Sequence, residues 1–342
     1  MRPFHYARAE GANAAILSHQ ALRAPRDQPA VLAPAQYIAG GTNLVDLMRI
    51  DVMRPELVAD INAMARSRAG KIEATAQGLW LGALVRMAEA ADNAEVNRNY
   101  PMIAQALMLA ASPQIRNMAS LGGNVLQRTR CTYFRDTSYA ACNKRNPGSG
   151  CAAIDGVNRR HAILGVSDQC IAQYSGDFAH ALIALDATVS IEGPKGARAL
   201  PFAELHRLPG ETPHIETNLM PGELITGFLV PRLPWAKRSL YLKIRDRQSY
   251  EFALASAAVA LDMEGETVRA ARIALGGVSA APWRARGAEQ AITGQTLDDD
   301  TLTAVGETAF AEARPHGENA FKIELGQRTL ARALRQAAQL EI

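Results

Sequence analysis

The position of the four cysteines constrains this chain more than any other feature of its 342-residue sequence. All four lie within residues 131–170, and no cysteine lies outside that window. Thiols placed independently along so long a chain would rarely gather within forty residues, so the window indicates one site with four thiols. The candidate metal-ligating residues are Cys131, Cys142, Cys151 and Cys170.

These thiols could form two disulfides, a zinc site or an iron–sulfur cluster, or could be four unrelated buried groups. Disulfides would indicate an oxidising compartment, yet residues 1–5 contain no apolar signal core. Zinc usually takes closely spaced ligand pairs, whereas ten, eight and eighteen residues separate these cysteines. A [4Fe–4S] cluster also takes four thiolates, and the turn-forming residues 146–150 beside Cys151 are typical of a loop that directs backbone N–H groups at sulfur. The residues therefore favour a cluster, with the other readings as alternatives.

Composition and charge place the chain among ordinary soluble proteins. Apolar residues make up 48% and charged residues 21%, and no apolar run approaches the roughly 20 residues that a membrane helix needs. The net charge of +3 is too small to indicate nucleic-acid binding. A chain of this length exceeds one compact core and should divide into two or three domains.

A Gly-Gly turn follows the first predicted apolar strand. Gly40 and Gly41 lead into a helix capped by Thr42 or Asn43, and glycine lets the backbone approach a phosphate that the helix N–H groups face. The turn differs from the Gly-x-Gly-x-x-Gly of a doubly wound nucleotide fold, and an ordinary turn is the alternative. A second tight turn of small residues is predicted at 115–124. Two such turns in one domain indicate an extended ligand with a pyrophosphate between them.

Hydrophobic periodicity predicts a chain of mixed helices and strands, with a change of composition near residue 235. Beyond that point three long strands precede two helices, which is the pattern of a separate α+β unit. Strands are predicted at 57–61, 71–74, 79–83, 187–191, 223–230, 239–245, 252–261 and 267–275, and helices at 11–24, 84–91, 100–111, 178–185, 298–313 and 319–339.

Four motifs together give the chain a family resemblance over almost its whole length. It resembles the flavin-binding subunit of the molybdenum-hydroxylase (xanthine dehydrogenase) family. Within that family it is most similar to the medium subunit of bacterial three-subunit aldehyde oxidoreductases. The motifs lie at residues 39–44, 82–86, 120–124 and 243–247.

The resemblance implies an α+β fold in two domains. The first, at 1–235, would be a two-part FAD-binding domain of the vanillyl-alcohol-oxidase type, with the flavin between halves at about 1–58 and 59–235. The second, at 236–342, would be a smaller α+β domain with a three-stranded sheet plus helices. An insertion at about 127–171 would hold the cysteines.

The same resemblance implies which residues bind FAD. The two glycine turns would contact the diphosphate and ribityl chain from opposite sides, while further residues would approach the adenosine and the flavin. No catalytic residue is implied in this chain. The implied residues are Tyr37, Ile38, Ala39, Gly40, Gly41, Thr42, Asn43 and Leu44 on one side, Ser120, Leu121, Gly123 and Asn124 on the other, Asp136 toward the adenosine, and Ile225 and Lys243 toward the flavin.

The cysteine-rich insertion sets the chain apart from most flavin subunits. In the aldehyde oxidoreductases and the similar 4-hydroxybenzoyl-CoA reductases, an insertion at this place carries an extra [4Fe–4S] cluster, which implies a cluster on the four cysteines here. Arg128, Arg130, Lys144 and Arg145 would offset the negative charge of that cluster and raise its potential, or else form a solvated or partner-binding face. His161 is expected at the surface, because four cysteines already complete a cluster.

For function, the resemblance implies an electron-transfer subunit of a molybdenum-dependent aldehyde oxidoreductase. In the expected heterotrimer, electrons would pass from a molybdenum-cofactor large subunit through a [2Fe–2S] small subunit to FAD and an external acceptor. The alternatives are a free-standing FAD-dependent oxidoreductase with the same flavin-binding fold, and a zinc-stapled interaction subunit. Since the chain carries no signal, a cytoplasmic location is expected, or a periplasmic one by co-export with a partner. No membrane or nucleic-acid partner is expected, and no group of residues indicates hydrolysis.

Overall fold

A computed structural model describes residues 1–22, 25 and 27–341, and packs helices on three sheets. Among these residues no helix combines the length and apolarity that crossing a membrane requires. In chain order the elements are β1 (His5–Arg8), α1 (Ala12–Gln20), β2 (Ala35–Ile38), α2 (Leu44–Arg49), β3 (Leu57–Asp60), β4 (Ile72–Thr75), β5 (Gly78–Gly82), α3 (Met87–Asp92), α4 (Ala94–Asn99), α5 (Pro101–Met108), α6 (Pro113–Met118), α7 (Leu121–Val125), α8 (Thr132–Arg135), α9 (Phe178–Ala184), β6 (Thr188–Gly193), β7 (Gly196–Pro201), β8 (Leu224–Pro231), β9 (Ser239–Ile244), β10 (Ala255–Glu264), β11 (Thr267–Gly276), β12 (Trp283–Arg284), α10 (Arg286–Ile292), α11 (Asp299–Ala309) and α12 (Phe321–Ala338).

The first sheet has three parallel strands in the order β1, β3, β2. Leu57 of β3 pairs with His5 on one side and Ala35 on the other. The helix predicted at 11–24 forms as α1 over a shorter range, and residues 23 and 24 lie outside the described residues. Strand β3 runs to Asp60, so the expected boundary between the two halves of the FAD-binding domain, at 58/59, falls inside a strand. The chain enters the second sheet only after β3, at β4.

The second sheet has five antiparallel strands in the order β4, β5, β8, β6, β7. All except β7 were predicted, because β7 is an edge strand with a largely exposed sequence and lacks alternating apolar residues. Helix α9 contacts this sheet through Phe178, whose ring meets Phe228 of β8 edge to face with ring centroids 5.9 Å apart. Both rings are fully buried, so this contact lies in the core of the domain that carries the glycine motifs.

The third sheet has four antiparallel strands in the order β12, β11, β10, β9, so the expected three-stranded sheet was one strand short. The additional strand is only Trp283–Arg284, too short to produce a periodic pattern. Helix α12 packs on the sheet through buried residues such as Leu330 and Leu334. The α+β class is confirmed, and the proposed division at 235/236 lies in the 3₁₀ segment Pro234–Lys237 between β8 and β9.

The prediction of a tight turn at 115–124 was wrong, because two short helices, α6 and α7, occupy this stretch. Each begins at a serine whose hydroxyl accepts a backbone hydrogen bond. Ser112 accepts from the N–H of Ile115, and Ser120 accepts from the N–H of Gly123 at 3.2 Å. Serine is a favoured N-cap, although a glycine inside a helix costs about 1 kcal/mol and α7 contains two. Backbone hydrogen bonds from Leu121 to Val85 and from Gly122 to Ala83 also hold α7 in place.

Candidate functional site

A cavity lies where the first glycine motif (residues 39–44) meets α7 and the loop before β8. Its volume is ≈ 360 Å³. Tyr37–Leu44, the residues predicted for one side, all line it, together with Ser120 and Gly123 from the other side. Ile225, predicted to approach the flavin, also lines it. The two glycine motifs thus lie on one cavity, as expected for a ligand held between them.

Two glycines of the first motif are required by local geometry. A Cβ on Gly40 would lie 1.9 Å from the backbone oxygen of Met118, so only glycine allows the first motif to approach the segment that leads into α7. Gly41 has a φ of +73°, in the left-handed region that favours glycine. These positions fix the close approach of the two motifs.

The predicted helix cap is only half correct. Asn43 occupies the N-cap position of α2, but its side chain forms no bond to the helix. Its Oδ1 instead accepts the backbone N–H of Arg128 at 3.1 Å. A hydrogen bond therefore joins the first glycine motif to the start of the cysteine loop (residues 127–171). This loop lines the same cavity through Arg128.

Four of the predicted FAD residues point elsewhere. Leu121 is fully buried in the core, and the amide of Asn124 contacts the sulfur of Met87 at 3.3 Å. Asp136 is solvent-exposed and accepts the N–H of Ser138. Lys243 donates to Asp177 Oδ2 at 2.8 Å inside the protein. None of these four side chains is among the described residues that line the cavity.

A wall of the cavity that sequence reasoning missed is the loop 214–224. The hydroxyl of Tyr37 donates to the carbonyl of Gly222 at 2.9 Å and so closes the loop over the first motif. The ring of His19 lies against Tyr37, with centroids 5.0 Å apart. Burial raises the pKa of Tyr37 and lowers the pKa of His19, so both rings are neutral near pH 7. No motif in the polar loop marks it as part of a site.

A partly buried ion triad borders this cavity. Glu216 lies 2.6 Å from Nη2 of Arg128 and 2.9 Å from Nζ of Lys144. Burial opposes ionisation of Glu216, but the two cations outweigh it and hold its pKa below the ordinary value. Lys144 likewise has a raised pKa: burial opposes its charge, and Glu216 and the sulfur of Cys170 favour it more strongly. The triad therefore carries two positive charges and one negative charge.

The four cysteines come together within one loop. All four lie in the described part of the chain and are free thiols. Cys142 and Cys151 pair across an isolated antiparallel bridge, and the turn between them is held by Asn143, whose Oδ1 accepts the N–H of Gly150 at 2.9 Å. The turn predicted beside Cys151 is thus present.

The cysteine thiols shift one another's pKa values and accept hydrogen bonds from backbone N–H groups. A hydrogen bond with Cys170 lowers the pKa of Cys151 to about 6, and the same bond together with burial raises the pKa of Cys170. Burial raises the pKa of Cys131 to about 12, and the charges of Cys142 and Cys151 add to that effect. The N–H of Ala172 donates to the Cys170 sulfur at 3.4 Å.

This donor set fits a thiolate-ligated cluster. Four thiols share one loop, and backbone N–H groups are directed at sulfur, as in the surroundings of iron–sulfur clusters. Within the described ranges, no three His, Cys, Asp or Glu side chains are close enough together to hold a single metal ion.

The expected surface position of His161 was wrong. His161 is buried, and its Nε2 lies 3.2 Å from the sulfur of Cys131. Tyr133 on α8 lies nearby, with its ring centroid 6.2 Å from that of His161. A lone histidine in a polar loop carries no sequence signal for such a contact.

The basic residues of the loop are paired and not a solvated face. Arg130 reaches Asp46 Oδ2 at 3.1 Å, and the guanidinium of Arg145 donates to backbone carbonyls, including that of Tyr133 at 3.1 Å. Arg128 and Arg145 are buried, and the side chain of Arg130 is 26% exposed. Positive charge is therefore held beside the cysteines by the fold itself.

Comparison with known proteins assigns the chain to a family. A family model described as the FAD binding domain in molybdopterin dehydrogenase matches residues 17–233, and the CO dehydrogenase flavoprotein C-terminal domain matches residues 240–337. The chain is 44% identical over 339 residues to the aldehyde oxidoreductase FAD-binding subunit PaoB of Escherichia coli strain K12, covering 98% of this chain and 99% of that protein.

More distant relatives extend the match. The chain is 27% identical to the 6-hydroxypseudooxynicotine dehydrogenase complex subunit alpha of Paenarthrobacter nicotinovorans, covering 89% of this chain and 88% of that protein. Its fold matches a chain of the reconstituted CO dehydrogenase from Oligotropha carboxidovorans with a TM-score of 0.75 and 22% identity, over 98% of both chains. The family resemblance of the sequence motifs is confirmed: the chain belongs to the FAD-binding subunits of the molybdenum hydroxylase family.

Proposed function

We propose that the chain is the electron-transfer subunit of a molybdenum-dependent aldehyde oxidoreductase and carries a [4Fe–4S] cluster besides FAD. The aldehyde class is supported by the relative at 44% identity, whose name specifies aldehyde oxidoreductase. When bound, FAD and the cluster supply the redox chemistry, and the protein supplies orientation and electrostatics. Electrons would arrive from a [2Fe–2S] small subunit and leave to an external acceptor.

The observation that carries the cluster proposal is the convergence of Cys131, Cys142, Cys151 and Cys170 in one loop. Hydrogen-bonded thiols, inward N–H groups and buried basic side chains are the features by which proteins stabilise a negatively charged cluster. The loop also contacts the FAD cavity through Arg128. This proximity supports electron exchange between the two cofactors.

For FAD, we propose that Tyr37–Leu44 and the backbone of Ser120–Asn124 hold the diphosphate, while Ile225 lies toward the flavin. The lining of the cavity supports these roles for Tyr37–Leu44, Ser120, Gly123 and Ile225. Leu121 and Asn124 stay in the proposed set on the family resemblance alone. Asp136 and Lys243 are weaker members of the proposed set, because their side chains are committed to Ser138 and Asp177.

The proposed domains are 1–235 for FAD and 236–342 for the C-terminal unit.

We also propose a heterotrimer with a molybdenum-cofactor large subunit and a [2Fe–2S] small subunit. An electron carrier between redox partners needs a stable interface, and such interfaces bury on the order of 1,200–2,000 Å². Co-expression with the chains encoded beside it should yield a complex of three different chains. A monomer that oxidises an aldehyde alone would instead support the free-standing oxidoreductase.

Metal analysis tests the cluster. Anaerobically purified protein should contain FAD, about four irons and about four acid-labile sulfides per chain. Each of Cys131→Ser, Cys142→Ser, Cys151→Ser and Cys170→Ser should lose most of the iron and keep much more of the FAD. Ser138→Ala, an exposed change in the same loop, is the matched control and should keep both.

The other outcomes are distinct. FAD without iron or sulfide would remove the cluster from the proposal and leave the flavin subunit standing. Zinc without sulfide or visible iron–sulfur absorbance would identify a zinc-stapled loop. Iron that survives all four serine substitutions would place the metal elsewhere.

A further inference from the structure

Glu216 lies between the two candidate cofactor sites and pairs with a cation of each. Its carboxylate is 2.6 Å from Arg128 and 2.9 Å from Lys144. The side chain retains 23% exposure, and it lines both the ≈ 360 Å³ cavity and a smaller polar cavity of ≈ 50 Å³. One carboxylate thus joins a cation that lines the larger cavity to a cation beside the cysteines.

Arg128 is the cation on the flavin side. It lines the larger cavity and is 8% exposed. Its backbone N–H donates to Asn43 of the first glycine motif, and its guanidinium lies over the ring of Phe134 in the cysteine loop at 5.3 Å. Contacts from both sites therefore fix its position.

Lys144 is the cation on the cysteine side. It follows Cys142 by two residues, and of the two cavities it lines only the smaller one. Its ammonium also donates to the carbonyl of Pro213 at 3.2 Å, and the side chain is 11% exposed. Its charge therefore lies with the cysteines and outside the flavin cavity.

Partly buried charges of this kind act over longer distances than surface charges, because the effective dielectric constant is lower and salt screens them less. Reduction adds negative charge to a cofactor, so nearby positive charge favours the reduced state. Loss of the Glu216 carboxylate would leave Arg128 and Lys144 without their counterion, one facing each site. A change at this single residue should then be felt at both.

We propose that Glu216 is a positioning residue shared by the flavin site and the four-cysteine site, through which charge at one site shifts the redox potential at the other. This rests on the proposed function, which places FAD in the larger cavity and a cluster on the cysteines. The carboxylate acts indirectly: it holds Arg128 and Lys144 in place and partly neutralises their charges.

The test compares Glu216→Gln, Glu216→Asp and Lys144→Met in the anaerobically purified holoprotein. Flavin potentials come from redox titration followed by visible absorbance, and cluster potentials from titration followed by electron paramagnetic resonance. Glu216→Gln keeps the side-chain shape and should raise both potentials, whereas Glu216→Asp keeps the charge and should stay near wild type. Lys144→Met leaves the carboxylate less neutralised and should lower the flavin potential, although Lys144 does not line the flavin cavity.

Glu211→Gln, an exposed change five positions before Glu216, is the control and should leave both potentials unchanged. A wild-type flavin potential in Glu216→Gln protein with full FAD occupancy would overturn the inference. Should that variant fail to fold, an unchanged flavin potential in Lys144→Met protein would overturn it equally. If the wild type contains FAD but no iron, the proposed cluster is wrong. The flavin potentials of these variants still show whether charge at Glu216 and Lys144 acts on the flavin site.

Discussion

His161 directs Nε2 of its ring at the sulfur of Cys131 from 3.2 Å, although thirty residues separate them in the sequence. Burial lowers the pKa of His161 to about 4, so the ring is neutral near pH 7 and carries one N–H. Nδ1 is buried and has no hydrogen-bond partner among the described residues. A thiolate has no proton to offer, so a hydrogen bond between His161 and an ionised Cys131 requires the N–H to lie on Nε2.

This contact predicts that His161 raises the potential of the proposed cluster without ligating it. Hydrogen bonds to cluster sulfurs raise the reduction potential. His161→Phe should therefore keep its iron and show a lower cluster potential, while His161→Gln, which can still donate, should lie closer to wild type. Metal analysis and a titration followed by electron paramagnetic resonance measure both. Loss of iron in both variants would show instead that His161 is a ligand.

A second prediction concerns the approach of the two glycine motifs. A methyl group on Gly40 would overlap the backbone of Met118, and such overpacking typically costs about 1–3 kcal/mol. Gly40→Ala should therefore bind FAD roughly tenfold to a hundredfold more weakly, as measured by flavin content after dialysis and by titration of the apoprotein.

Gly11→Ala is the matched control, because the added methyl group would meet no described atom within 4 Å. Gly123→Val extends the test to the other side of the cavity, where the branched side chain would enter space that Gly123 now lines. Full flavin occupancy with an unchanged spectrum in both Gly40→Ala and Gly123→Val would remove the proposed FAD cradle.

The sequence predicted those parts of the site that depend on local geometry. Gly40 and Gly41 mark a close approach and a left-handed φ that few other residues allow, so the motif is visible in the sequence. Likewise the clustering of cysteines needed no structure, because one loop contains all four.

The remainder depends on contacts between distant parts of the chain. Tyr37 bonds to Gly222 across 185 residues, and Lys144 to Glu216 across 72. Neither loop carries a periodic or glycine-rich pattern that would indicate its partner. Strand β7 was missed for a similar reason, because pairing with β6 stabilises it and its own residues do not.

A third prediction concerns Lys243, which the family resemblance placed toward the flavin. In the structure Lys243 and Asp177 form a pair whose side chains are 1% and 5% exposed, and Asp177 also accepts the hydroxyl hydrogen of Tyr241 at 2.7 Å. Asp177→Asn would leave a buried lysine without its counterion. We expect a loss of about 3–5 kcal/mol in the free energy of unfolding, measured by urea denaturation.

Glu324→Gln serves as the comparison for that variant, because Glu324 pairs with Arg328 on the surface, where both side chains are more than two-thirds exposed. Its effect should stay within about 0.5 kcal/mol. If Asp177→Asn is equally mild but changes the flavin spectrum, Lys243 belongs to the flavin site, as the resemblance implied.

The last prediction concerns Lys322, a fully buried lysine on α12. Its ammonium donates to Gly277 O at 2.7 Å and to Gln173 Oε1 at 2.9 Å. Burial, aided by Arg159 and Arg160, lowers its pKa from 10.5 to about 7. Between these values the unfolded chain holds a proton that the folded chain has released, so the contribution of Lys322 to stability must rise with pH from about 7 to about 10.5.

The size of this rise is bounded by the shift itself, at about 1.4 kcal/mol per pKa unit and thus at most about 4–5 kcal/mol. The difference in unfolding free energy between wild type and Lys322→Met should therefore change in favour of wild type as the pH increases from 7 to 10. Lys71→Met, at an exposed lysine, should show a difference that is independent of pH over the same range. If the Lys322→Met difference is equally flat, Lys322 remains protonated in the folded protein, and its two acceptors outweigh the cost of burying its charge.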